Sequence, residues 1–183
     1  MRNLIVGSVA ALGLVAAFLA TGSGRAQDKG ATGATAAPPT LEAVIEHVMT
    51  HFAKADKGLR TGMKVQEAKK ALAGSAHIIG THVLPISSTP YGLPGVQGTV
   101  SIYSLSDEAN ETVGELHVAV LCGEFDRQKL AAKAVDVGMK LGFDMERDED
   151  EDGVWAGSRE NPTRSISVSL AGKGVILFEL SGE

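Results

Sequence analysis

From Arg164 to Leu170 the chain alternates without a break. Arg164, Ile166, Val168 and Leu170 fall on one side, and Ser165, Ser167 and Ser169 on the other. A β-strand sends successive side chains to opposite faces, so this segment fits a sheet with one dry face and one wet face. Antiparallel sheets tolerate that asymmetry, whereas parallel sheets are usually covered on both sides. The same two-residue period recurs in Val96–Leu105 and in Glu115–Cys122. In the latter, Leu116, Val118 and Val120 oppose His117, Ala119 and Leu121. Val175–Leu180 follows Arg164–Leu170 across Gly172-Lys173-Gly174, a hairpin-type turn. Phe143–Arg147 and Val154–Arg159 read as two more strands around an acidic turn, and Ala76–Leu84 as one more apolar strand.

Helical periods stand between these strands. Leu41, Val44, Ile45, Val48 and Phe52 repeat at the spacing of one helix face and predict a helix over about 40–56. Thr40 can cap it, and Glu42 and Glu46 suit its early turns. A shorter helix is expected over 64–73, and a third from Asp126, a good N-cap, to Leu141, with Gly142 as its stop. The expected order is ααβββ followed by αββββ. That is an α+β fold of about three helices packed on one face of a mainly antiparallel sheet of six or seven strands. The two halves resemble each other in order, without a residue-level repeat.

Gly62-Met63, Glu67-Ala68 and Leu72 resemble the helix start of BamE-type (SmpA/OmlA) periplasmic domains, which share a fold with β-lactamase-inhibitor proteins. The resemblance covers about a dozen residues. It implies two helices paired with an antiparallel sheet and a function through protein–protein contacts. The lipidation cysteine of the outer-membrane members is missing here, and no binding residue carries over.

The first 26 residues point out of the cytoplasm. Arg2 is followed by an uncharged run from Leu4 to Ala20 and by Thr21-Gly22-Ser23-Gly24-Arg25-Ala26. This is the pattern of a signal peptide cleaved after Ala26, with a retained N-terminal anchor as the alternative. Residues 27–40, rich in Gly, Ala, Thr and Pro, read as a flexible linker, and 41–183 as a single domain. The location expected is the periplasm or the exterior.

Cleavage would remove Arg2 and Arg25 from the 17 basic residues and none of the 22 acidic ones, leaving a net charge of −7. That balance excludes a general nucleic-acid binder and an electrostatic hold on anionic lipid. Cys122 is the only cysteine, so an intramolecular disulfide and a four-cysteine zinc site are excluded.

Several positions are candidates for function. Asp148, Asp150, Asp152 and Gly153 form D-x-D-x-D-G, alternate carboxylates on a tight turn that suit Ca²⁺. The EF-hand's twelfth-position glutamate is replaced by Arg159, with Glu160 one residue late, and a solvated hairpin tip is the plainer reading. His47 and His51 lie one helical turn apart, a pair that can grip Zn²⁺ or copper if further ligands join. Without H-E-x-x-H they form no zinc-protease helix, and flanking surface histidines are the plainer reading.

Cys122 before Gly123 and a helix occupies a nucleophile's place, yet His117 belongs to the opposite face of its strand. A buried structural thiol is the plainer reading, with a reactive or intermolecular thiol as the alternative. The Pro/Gly-rich stretch Leu84–Gly98 carries Tyr91 and Leu93, and Trp155 stands beside the acidic turn. These three are the partner-binding candidates, against ordinary core closure. Asn110-Glu111-Thr112 is a glycosylation sequon, meaningful only in a eukaryotic secretory pathway, and Pro162 excludes Asn161-Pro162-Thr163.

The leading functional expectation is a non-catalytic secreted or periplasmic module that engages another envelope protein. The alternative is a metal-binding protein using the acidic turn, and the third is a cysteine-dependent hydrolase.

Overall fold

The computed structural model describes residues 38–54, 58–71, 76–78, 81–104, 112–160, 163–170 and 174–182. The proposed signal peptide, most of the linker, Leu72 and the Asn110-Glu111 part of the sequon lie outside these residues. The described residues belong to one unit, Ala37–Glu183.

Helix α1 (Leu41–Lys54) forms where the apolar period predicts it, and buries Val44, Ile45, Val48, Met49, Phe52 and Ala53. Helix α2 (Val65–Ala71) begins just after Gly62-Met63. Helix α3 (Arg127–Lys140) starts on Asp126, whose carboxylate accepts from Lys129 N at 3.0 Å. It ends where Gly142, at φ +83°, lets the chain reverse. Phe143 N then donates to Gly138 O at 2.9 Å and Gly142 N to Met139 O at 3.0 Å, which satisfies the last open carbonyls.

The strands are β1 (Ala76–Ile78), β2 (Thr81–Pro85), β3 (Gln97–Ser104), β4 (Val113–Leu121), β5 (Asp144–Arg147), β6 (Val154–Glu160), β7 (Thr163–Ser169) and β8 (Val175–Gly182). They form one sheet in the order β1-β2-β3-β4-β8-β7-β6-β5, antiparallel throughout. The fold is α+β with an antiparallel sheet. Seven strands have four residues or more, and β1 adds a three-residue margin. The expected order is corrected in one place: Ala76–Leu84 is two paired strands, β1 and β2, where one was expected. Each half is therefore a four-strand meander, and the halves meet along β4 and β8.

Register aligns the residues into rows. Leu84, Val100, Val118, Phe178, Val168 and Trp155 pair in sequence across the sheet, and so do Ile102, Leu116, Leu180 and Ile166. Apart from the half-buried Trp155, these residues are buried, and they join the residues of α1, α2 and α3 in one apolar cluster. Each fully buried aliphatic or aromatic side chain of this kind contributes roughly 1.5–3 kcal/mol. The intervening rows carry polar residues and lie outside that cluster. The sheet thus has a buried face and an outer face, as the serine alternation in β7 requires.

Two arginines fasten the buried face to the helix ends. Arg159 Nη2 donates to Ala53 O at 2.5 Å, and its Nη1 to Leu141 O at 3.1 Å. Arg164, its cross-strand partner, donates to Phe52 O. Cations at helix C-termini meet both the open carbonyls and the negative end of the helix dipole. Burial, with Arg159 beside it, lowers the pKa of Arg164 below the usual arginine value.

Candidate functional site

Three registered rows make up most of the outer face. One runs Tyr103, Glu115, Ser181, Ser165, Ser158, Asp144. The next runs Val83, Ser101, His117, Glu179, Ser167, Ala156, Glu146. The third runs Thr99, Ala119, Leu177, Ser169, Val154 and supplies a small apolar strip. Ala119 is 4% exposed and Val154 6%, although neither belongs to the main core cluster.

The centre of this face is a titratable cluster on the seam between the halves. The His117 ring lies 4.4 Å from that of Tyr103. Its Nε2 stands 2.9 Å from Glu115 Oε1, close enough for charge attraction but off the line of a hydrogen bond. Glu179 pairs directly across from His117. Burial raises the Glu179 carboxyl above its ordinary value, His117 opposes that shift, and Glu115 and Glu151 add to it. Burial likewise raises the Tyr103 phenol.

The positions singled out in the sequence fall elsewhere. Tyr91 is fully buried, and its hydroxyl donates to Leu59 O at 3.3 Å. It offers a partner no surface, so its expected role as an exposed anchor is corrected. Leu93 and Trp155 are half-buried and pack against the core cluster. Trp155 lies in a row of the buried face, between Val168 and Arg147.

The acidic turn is organised around its own backbone and two arginines. Asp148 Oδ1 accepts from Asp150 N at 2.9 Å and Glu151 N at 3.2 Å. Asp152 pairs with Arg147 at 2.5 Å and Arg127 at 3.2 Å. Asp150 is exposed. Among the described residues no three His, Cys, Asp or Glu side chains are grouped to hold a metal ion.

The two histidines of α1 act as ties rather than flanking surface groups. His47 Nε2 donates to Pro90 O at 2.9 Å, and the His51 ring meets Tyr91 edge-on at 4.9 Å. They hold the Pro90–Tyr91 segment against the helix.

Cys122 lines a cleft of about 270 Å³ with Pro38, Pro39, Val44, Val96 and Val120, and none of the lining residues is charged. Burial raises its thiol pKa, which keeps the sulfur protonated and a poor nucleophile.

Sequence reasoning missed Glu115, Glu179 and Tyr103. Their signal was present in the phase of each strand, since all three alternate with buried residues. Their grouping depends on register between segments far apart in the chain. Comparison of the chain with family models, with curated proteins and with solved structures finds no match.

Proposed function

We propose that this is a non-catalytic binding module whose outer sheet face holds another protein, and that the three helices together cover the opposite face. The observation that carries the reading is the two-faced register. One set of rows is spent on the core, while the other presents hydroxyls, carboxylates, one imidazole and the half-buried Leu177 over both halves. Non-obligate protein contacts are about as polar as the rest of a protein surface and use hydrogen-bonding groups of this kind. The acidic net charge and the carboxylates on this face disfavour nucleic acid and anionic lipid as occupants. If the first 26 residues are removed as a signal peptide, the partner is another secreted or envelope protein.

The reading is tested by placing a photo-crosslinking amino acid at Ser167, on the outer face, and in a separate chain at Ala132, exposed on α3. The expected result is a discrete adduct from Ser167 in the native compartment and none from Ala132. Adducts from Ala132 alone, or from neither position, overturn it.

A further inference from the structure

The outer face is also sorted by charge. The eight strands carry three arginines and no lysine, and all three arginines fall in the phase of the buried face. Arg147 pairs with Trp155, and Arg159 with Arg164. Five carboxylates, Glu115, Asp144, Glu146, Glu160 and Glu179, take the other phase, with His117 as the one partly compensating base. Ion pairing follows the same division. Among the described residues, every carboxylate paired with a lysine or arginine lies off this face: Glu42 with Lys129, Glu46 with Lys133, Asp136 with Lys140, and Asp152 with Arg127 and Arg147.

Like charges spread over one face raise one another's energy and are relieved by an opposite surface. We infer that the outer face docks a protein surface bearing lysine or arginine side chains, set so that they meet the Glu115–His117–Glu179 centre and the carboxylates of β5. This rests on the outer face being the docking face, and it adds the chemistry of what docks there. Serine hydroxyls beside the carboxylates supply further acceptors for a guanidinium or ammonium group. Among the described residues, the strands place no lysine or arginine on this face to fold over the acids and block them.

The test uses the full chain and three synthetic peptides of equal length: Lys/Arg/Ser, Glu/Ser and Gly/Ser. Affinity is read by fluorescence anisotropy, and location by backbone amide shifts. The Lys/Arg/Ser peptide should bind and shift Ser165, Ser167, His117 and Glu179. Binding should weaken roughly tenfold in the Glu115→Gln/Glu179→Gln double variant. It should also weaken as salt is raised to about 0.3 M. The Asp148→Asn variant, altered in the acidic turn, should bind as the parent does.

Shifts centred on Asp148–Asp152, or an affinity indifferent to the double variant, overturn the inference. Equal outer-face shifts with the Gly/Ser peptide overturn the charge argument and leave the docking face standing. If no peptide shifts the outer face while Ser167 still cross-links, this inference falls alone. If Ser167 gives no adduct, the docking reading falls with it.

Discussion

Arg164 lays its guanidinium over the ring of Phe52, 5.2 Å from the centroid, and donates to that residue's own carbonyl. One side chain of β7 thus satisfies a terminal carbonyl of α1 and covers a core aromatic. Arg164→Met keeps the stem but leaves the carbonyl open. The expected loss is about 2 kcal/mol, the range for a hydrogen bond with a charged donor. Denaturant unfolding measures it. Arg164→Lys should recover only part, because an ammonium lacks the planar fork that can stack and donate together. An unchanged midpoint in Arg164→Met would remove this contact from the account of stability.

Tyr91 is a core residue, and its variants should behave accordingly. Tyr91→Phe removes only the hydroxyl that reaches Leu59 O and should cost about 1 kcal/mol. Tyr91→Ala opens a cavity under the Pro/Gly loop and should cost roughly 3–5 kcal/mol. Tyr91→Phe should leave any partner's affinity unaltered. Lost affinity at full stability would return Tyr91 to the binding surface.

The acidic turn should respond to Asp148 and be indifferent to calcium. Asp148 accepts from two backbone amides, so Asp148→Ala should lower stability by about 1 kcal/mol through the lost turn bonds. Millimolar Ca²⁺ or a chelator should leave the thermal midpoint of the parent where it was. A rise with Ca²⁺ that Asp148→Ala abolishes would show that the carboxylates gather around an ion after all.

Glu179 makes the outer face pH-dependent. Burial, above all, raises its folded pKa above the ordinary glutamate value. The folded state therefore takes up this proton more readily than the unfolded state. The resulting stability is present in full below the unfolded pKa and is lost as pH rises through the folded one. Glu179→Gln should raise the melting temperature at neutral pH by about 2 °C. The gain over the parent should vanish as pH falls below about 4.5. A gain that persists at low pH would assign the effect to packing.

Strand phase and helix ends were legible wherever local chemistry decides them. Asp126 and Gly142 bracket α3 because a cap and a left-handed stop are written in single residues. The serines of β7 announced a two-faced sheet before any pairing was known. Ala76–Leu84 was not legible as a hairpin, since a largely apolar, β-branched run satisfies one strand as well as two, and Gly80 is its single glycine. Tyr91 was misplaced because its proline- and glycine-rich setting marks an irregular segment without saying which way a ring turns. Its hydroxyl partner, Leu59, is 32 residues away. The sorting of charge could not be read from any one segment. It emerges only when β3, β4, β8, β7, β6 and β5 are aligned.

The strand order also bears on how the chain reaches its structure. Every ladder except one joins strands that follow each other in sequence, and the exception is β4 with β8. Each meander can zip along its own hairpins with short closures. The costly event is a single long-range closure that brings the last strands of the two halves together. His117 and Glu179 sit opposite each other on that late-closing seam. The pair at the centre of the outer face therefore assembles only when both halves have paired in the same molecule, so the proposed docking face is complete only with the whole sheet.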